Sequence, residues 1–316
     1  MKLITEDLIL KYAIAFGRRF TVQQKSVFLD AIGQDFQKLG YDVRGAAEKY
    51  KRKYAINLHV GDVGNADNII VVNYDTPQHN FGNPMKYYPF DGPATFASGF
   101  LPIYTPAIIG GVISLWLLLQ FFPKLDFADN LGWSLFLLLI LFLVMSLSFV
   151  LTRGVANKVN FNRNTSGVVA ALKLASVLSK NQKKNTAFVL TDNGCTNHYG
   201  DKMLRAALPK SIDQRLVIML DCVGVGCEFV VGYKEASKQE AITLAKGFKK
   251  KSKRKSCSAQ ELRYTSFSFY QRALLISKGD FFNGSLMVDN VSTNKDINCH
   301  VDNIDEVVSA LKDFLV

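Results

Sequence analysis

Cysteine is scarce and unpatterned, with five residues in 316, at positions 195, 222, 227, 257 and 299. An odd count with no Cys-x-x-Cys and no framework spacing excludes a disulfide scaffold and suits a reducing compartment. The chain also lacks a local zinc motif, a cysteine-hydrolase signature and any internal repeat. No cleavable signal sequence is expected, because Glu6 and Asp7 interrupt the first apolar stretch and no small-residue cleavage site follows. Acids are short too: 27 Asp and Glu face 38 Lys and Arg, a net charge of +11. No recognition fold or aromatic platform accompanies that excess, so nucleic acid is not expected as a partner.

Charge is missing altogether from residues 103–122 and 131–151. Each run is apolar and close to the ~20 residues a helix needs to cross the hydrocarbon core. The connector, 122–130, is short and polar, with Pro123, Lys124, Asp126 and Asp129. The pattern predicts a transmembrane hairpin over 99–152, set between a first soluble part, 1–98, and a second, 153–316. A pair of buried core helices is the plainer alternative. A hairpin returns the chain to the side it left, so both soluble parts share one face. The connector holds one Lys against two Asp, whereas Arg153 and Lys158 follow the second span directly. The positive-inside rule then places both parts in the cytoplasm, on an integral protein of the cytoplasmic membrane with the bilayer as its partner.

Outside the hairpin, short Val- and Ile-rich strands alternate with helical periodicity. Strands are expected over 54–59, 68–73, 187–190, 216–220, 229–232, 273–276 and 285–288. Helices are expected over 3–20, 22–39, 167–178, 198–207, 235–251 and 304–314. That alternation predicts an α/β fold with a mostly parallel or mixed central sheet flanked by helices. Residues 75–98 hold Pro77, Pro84, Pro89 and Pro93 and read as a loop approaching the membrane. The run Lys249, Lys250, Lys251, Lys253, Arg254 and Lys255 has two readings. It is a solvated helix end, where Lys suits the dipole, or a contact with anionic lipid worth ~1 kcal/mol per residue.

Several segments carry an ordered resemblance. Asn162-Arg163-Asn164-Thr165-Ser166-Gly167 opens an apolar helix with residue types that cap free N–H groups. Ile69 to Thr76 is a buried strand ending in Asn73-Tyr74-Asp75-Thr76. Phe188 to Cys195 ends in Thr191-Asp192-Asn193-Gly194-Cys195, with Gly200 beyond it. Val217 to Gly224 delivers Asp221, and Cys299-His300-Val301-Asp302 precedes the last helix. In this order the segments resemble the zinc aminopeptidase family, which holds the secreted bacterial leucine aminopeptidases, the glutaminyl cyclases and the non-catalytic domains of transferrin receptor and nicastrin. The family reads Asp-Asn-x-Ser-Gly, His-x-Asp-Thr and Thr-Asp-Gly-Glu-Glu at the first three segments.

The resemblance implies a degenerate metal centre. It matches Asn73 to a His ligand, Asp75 to the residue orienting that ligand, and Arg163 to the Asp that bridges two zinc ions. Gly194 stands for the general-base Glu and Cys195 for the Glu ligand beside it, while Asp221 and His300 match their counterparts. Carboxylates stripped of zinc need another counter-charge, and a guanidinium at Arg163 is expected to supply it through a bidentate fork to Asp221 or Asp75. The alternative leaves Arg163 in solvent at the strand edge. No cofactor is expected; a residual zinc would draw on Cys195, Asp221 and His300, with His198 also of ligand type, and Arg163 would repel it. A Cys195 thiolate paired with His198 or His300 is the other source of a nucleophile. The implied function is a membrane-anchored, peptidase-like binding or scaffold subunit without activity, docking a peptide or a membrane protein. The alternatives are a hydrolase with an atypical or single-metal site and an accessory protein of membrane transport or export.

Overall fold

A computed structural model describes residues 3–50, 53–79, 84–125, 127–208 and 211–315. Asp126 of the connector lies outside them. The chain begins with α1 (Thr5–Leu10), which loosens into a π turn over Lys11–Ala15 and ends before Gly17. A side chain at Gly17 would meet the Ala13 carbonyl oxygen at 2.1 Å, so one continuous helix to residue 20 is corrected to this shorter element. Next comes α2 (Val22–Lys38), opened by a reciprocal capping box between Thr21 and Gln24.

β1 (Val43–Tyr50) and β2 (Lys53–Val60) pair antiparallel, and β3 (Asn68–Asn73) follows. The chain then leaves the sheet. β4 (Gln78–His79) leads to α3 (Gly92–Phe121) and α4 (Leu131–Arg153), and β5 (Val155–Ala156) pairs antiparallel with β4 on return. That two-stranded clasp closes the base of the excursion. Helix α5 (Thr165–Val177) and α6 (Lys180–Asn185) precede β6 (Thr186–Thr191). Then come α7 (Tyr199–Ala207), β7 (Leu216–Leu220), β8 (Glu228–Tyr233) and α8 (Lys238–Lys246). The chain ends with β9 (Ser252–Ser256), β10 (Ala273–Phe282), β11 (Ser285–Met287) and α9 (Val301–Phe314).

The sheet order is β1-β2-β6-β3-β7-β10-β8-β9, with β11 on β10. Strands β6, β3, β7 and β10 are mutually parallel, and the flanks bring in antiparallel pairs. The sheet is therefore mixed. Its parallel centre is buried on both faces, which is why β3, β6 and β7 read as unbroken apolar runs. Ile70 and Val72 pack toward α2, α5 and α9, and Ile69 and Val71 toward Leu204, Phe267 and Tyr270. Each such side chain contributes ~1.5–3 kcal/mol relative to exposure.

Two expectations fail for identifiable reasons. Residues 92–98 are helical, not loop: the Asp91 side chain accepts from the Ala94 N–H at 2.9 Å, and Pro93 sits in the first turn, where its missing N–H costs nothing. The basic run is not a helix end. α8 stops at Lys246, Phe248 drops onto Phe229 with ring centroids 4.9 Å apart, and the chain turns into edge strand β9. Lys on an exposed sheet edge blocks further pairing. Lys251 and Lys253 both reach Glu228, at 2.7 and 2.6 Å, and Lys255 reaches Glu261 at 2.7 Å. Lys250 donates to Asn303 Oδ1 at 3.0 Å, and the Lys249 backbone binds Glu306. Much of the run's charge is thus met within the fold.

α3 and α4 pack on each other, with Gly110 so close to Ser148 that a Cβ would lie 1.6 Å from its Oγ. Both are long and apolar enough to cross a membrane, and only 17% and 6% of their most apolar windows is buried. They are not core helices. At 30 residues, α3 is ~45 Å long, more than the ~30 Å of a hydrocarbon core.

Candidate functional site

The parallel strands deliver their last residues to one edge: Asn73 and Asp75 after β3, Asn193 to Cys195 after β6, Asp221 and Cys222 after β7. The turn before α5 brings Arg163 and Asn164 to the same edge. A cavity of about 630 Å³ opens there, and Asn73, Arg163, Gly194, Cys195 and Asp221 all line it. Carboxyl strand ends of open α/β sheets are where such folds bind ligands. Three of these residues, Asn164, Asn193 and Cys222, hold left-handed φ values of 63°, 59° and 52°, the strain of chains turning sharply off strand ends.

Arg163 is only 5% exposed, which removes the solvent-facing alternative. Its guanidinium lies over the Tyr87 ring, 3.4 Å from the centroid, and its Nη1 is 3.8 Å from Asp221 Oδ2. A desolvated contact of the first kind contributes ~2 kcal/mol. The ion pair is real but long, and the bidentate fork expected with Asp221 or Asp75 does not form. The competing donors explain why. Tyr87 Oη donates to Asp221 Oδ2 and the Cys222 thiol to Oδ1 at 3.2 Å. Asp75 accepts the backbone N–H groups of Gly194 and Cys195, at 2.8 and 3.0 Å, one on each oxygen. Nε and Nη1 of Arg163 are buried with no hydrogen-bond partner. Burial opposes the charge, but the fields of Asp221 and then Tyr87 outweigh it, so Arg163 holds its proton more tightly than usual. Beneath it, Asp296 accepts from the N–H groups of Asn162 and Arg163, at 2.8 and 3.1 Å, and burial pushes its carboxyl up to about 6.

Tyr87 carries no sequence signal beyond its place in a Pro-rich, aromatic segment. The structure fixes it from both sides. Its backbone pairs with Val288, at 3.1 and 2.8 Å. Its neighbours are bound by the foot of α3, with the Lys86 N–H donating to Ser98 Oγ at 2.7 Å and the Tyr88 N–H to Thr95 Oγ1 at 2.9 Å. A second buried guanidinium was also illegible. Arg19 is fully buried and donates to the Tyr74 carbonyl, to the Tyr12 carbonyl at 2.9 Å and to Thr165 Oγ1 at 2.6 Å. It ties the N-terminal helices to the ends of β3 and α5. Burial pulls its pKa down to about 10, against the pull of Asp75.

Cys195 does not form a thiolate–imidazole pair. Burial, then the Asp75 charge, push its thiol up to about 12, and its Sγ accepts from Asn164 Nδ2 at 3.2 Å. Both nitrogens of His198 are engaged elsewhere, Nδ1 with Ser266 Oγ at 2.8 Å and Nε2 with the Tyr264 carbonyl at 2.9 Å. Ser266 Oγ also donates to Asp201 Oδ2 at 2.7 Å and receives Asn73 Nδ2 at 3.3 Å. Burial lowers the His198 pKa and raises that of Asp201.

His300 is displaced from its expected place. It is exposed at the start of α9, donates its backbone N–H to the Gly224 carbonyl at 3.1 Å, and does not line the cavity; Ser292 of the same segment does. Cys195, Asp221 and His300 are therefore not gathered. Among the described residues no three His, Cys, Asp or Glu side chains are grouped to hold a metal. The position of the expected general base is filled as well: a Cβ on Gly194 would lie 2.1 Å from Asn73 Cγ.

No family model matches the sequence, and no curated protein does. Solved structures match over nearly the whole chain. A glutaminyl cyclase from Porphyromonas gingivalis superposes at a TM-score of 0.58 with 12% identity, covering 99% of this chain and 98% of that one. A Zn-dependent exopeptidase from Parabacteroides distasonis gives 0.54 with 13% identity, covering 98% and 94%. A leucine aminopeptidase precursor from Bacteroides thetaiotaomicron gives 0.53 with 12% identity, covering 100% and 97%. The fold is that of the zinc aminopeptidases. The residues at this chain's strand ends are a poor fit to a zinc ion: the Arg163 guanidinium lines the cavity, and both oxygens of Asp75 accept backbone N–H groups.

Replacing Gly194 by Glu, which installs the residue type of the expected base, should destabilise the fold by ~1–3 kcal/mol through the collision with Asn73. Urea denaturation measures this; an unchanged midpoint would show that the loop has room.

Proposed function

We propose that this chain is a membrane-anchored, peptidase-like protein that binds a ligand at its strand-edge cavity without hydrolysing peptides, as a binding or scaffold subunit. The carrying observation is Arg163, a buried cation over Tyr87 and beside Asp221 in the cavity where the fold offers carboxylates to metal in the enzymes it resembles. Amide hydrolysis by metal-assisted attack needs an activated water and a base to take its proton. Gly194 supplies none, and both oxygens of Asp75 and of Asp221 are already accepting hydrogen bonds.

Purified full-length protein should contain no stoichiometric zinc and release no amino acid from aminoacyl reporter substrates. One or two tightly held zinc ions, or turnover that a chelator abolishes, would overturn the reading.

The anchoring is supported by two apolar helices that lie outside the core and by the clasp that returns the chain to the sheet. With Lys124 and Asp129 in the connector and Arg153 and Lys158 at the return, both soluble parts face the cytoplasm by the positive-inside rule. Cys227 is the thiol to probe, because it is exposed whereas Cys257 is buried. A membrane-impermeant maleimide should label Cys227 only after the cells are opened. Labelling in intact cells would reverse the topology.

A further inference from the structure

The strand-edge cavity has two unlike ends. Its floor holds Arg163, whose buried Nε and Nη1 have no hydrogen-bond partner. Among the described residues the other Lys or Arg lining it is Lys202, and the carboxylate opposing these two is Asp221, whose oxygens already accept from Tyr87 and Cys222. The lining therefore offers two cationic side chains, one of them with unpartnered N–H groups. A buried donor left unpaired is unfavourable, more so when charged, and an anionic oxygen pair is the acceptor a guanidinium edge fits.

The far wall is α3. Phe96, Phe100, Ile103 and Tyr104 line the cavity from one face of that helix, at the spacing that aligns side chains along a helix. Phe96 stacks toward Phe100, and Phe100 toward Tyr104, with ring centroids 6.1 and 5.0 Å apart. Three of these side chains are exposed: Phe96 by 55%, Phe100 by 46% and Tyr104 by 41%. The helix that walls the cavity is one of the two long and apolar enough to cross a bilayer. An apolar ladder thus runs along the α3 wall, from Phe96 beside Tyr264 to Tyr104, in the direction in which α3 continues. The volume, about 630 Å³, lies within the ~300–1,000 Å³ of sites for small molecules.

We infer that the cavity binds a single-chain amphiphile with an anionic head, drawn from the membrane, its head on Arg163 and its chain along the aromatic face of α3. The inference deepens the binding reading above and depends on it. Polar floor and apolar wall each match one end of such a molecule. The foot of α3 lets it enter without its chain crossing water.

Binding of tritiated palmitate to full-length protein in a neutral detergent, read by scintillation proximity, tests this. Saturable binding near one palmitate per chain is expected, displaced by unlabelled palmitate and by lysophosphatidic acid but not by hexadecanol, which lacks the charge. Arg163→Gln should weaken binding at least tenfold. Ile103→Trp, which fills the apolar end and leaves the buried charges untouched, should abolish it with the melting temperature retained. Absence of saturable binding, equal displacement by hexadecanol, or full binding by Ile103→Trp would overturn the inference, as would displacement by a short peptide but not by unlabelled palmitate. Zinc is measured on the same sample. Zinc-free protein that fails to bind palmitate overturns this inference alone, whereas zinc-loaded protein overturns the binding reading with it.

Discussion

A charge buried at the end of a parallel sheet must be balanced from close by, because water is no longer there to do it. Here the charge is the guanidinium of Arg163, and three elements meet to hold it: Tyr87 beneath it, Asp221 at 3.8 Å, and the Asp296 carboxyl on its own backbone N–H. A lone buried ion costs several kcal/mol, and a buried pair recovers this only when the surrounding hydrogen bonds are also met. The carboxylate side meets that condition, since Asp221 and Asp75 have both oxygens occupied. The cationic side does not, since Nε and Nη1 are buried with no hydrogen-bond partner. The centre is therefore balanced in charge yet incomplete in hydrogen bonding.

The excursion that carries the two apolar helices is part of this centre. Tyr87 belongs to the segment between β4 and α3, and its neighbours are bonded to Thr95 and Ser98 in the first turns of α3. The helix that leaves the sheet thereby fixes the ring on which Arg163 rests, and Asp221 is held by that ring's hydroxyl. Movement of α3 at its foot would be felt at Arg163 through a short chain of hydrogen bonds. Fold alone does not confer function. In this chain the strand edge and the apolar helices are joined at that site.

Much of the architecture was readable without coordinates. β3, β6 and β7 are buried on both faces, so their sequences are continuous apolar runs whose ends name themselves, and Arg163, Gly194, Cys195 and Asp221 line the cavity. Other parts were not readable, for physical reasons. Pro93 signals a loop by composition but starts a helix once Asp91 caps it. Lys249 to Lys255 has the charge of a helix end, yet burial of Phe248 against Phe229 turns it into an edge strand. His300 has the right residue type near the last helix, but backbone geometry gives the cavity to Ser292. Tyr87 and Ser266 leave no pattern at all, because their roles come from long-range contacts that a linear sequence does not display.

Arg163 and Asp221 balance one another at the strand edge. A double-mutant cycle of Arg163→Met and Asp221→Asn, read by chemical denaturation of the full chain, measures that balance directly. The account predicts that each single change destabilises by ~3–5 kcal/mol, as breaking a buried pair does. It also predicts that the double change costs less than the sum by ~1 kcal/mol or more. Additive costs, within ~0.3–0.5 kcal/mol, would show that the two charges stand near each other without depending on each other, and would contradict it.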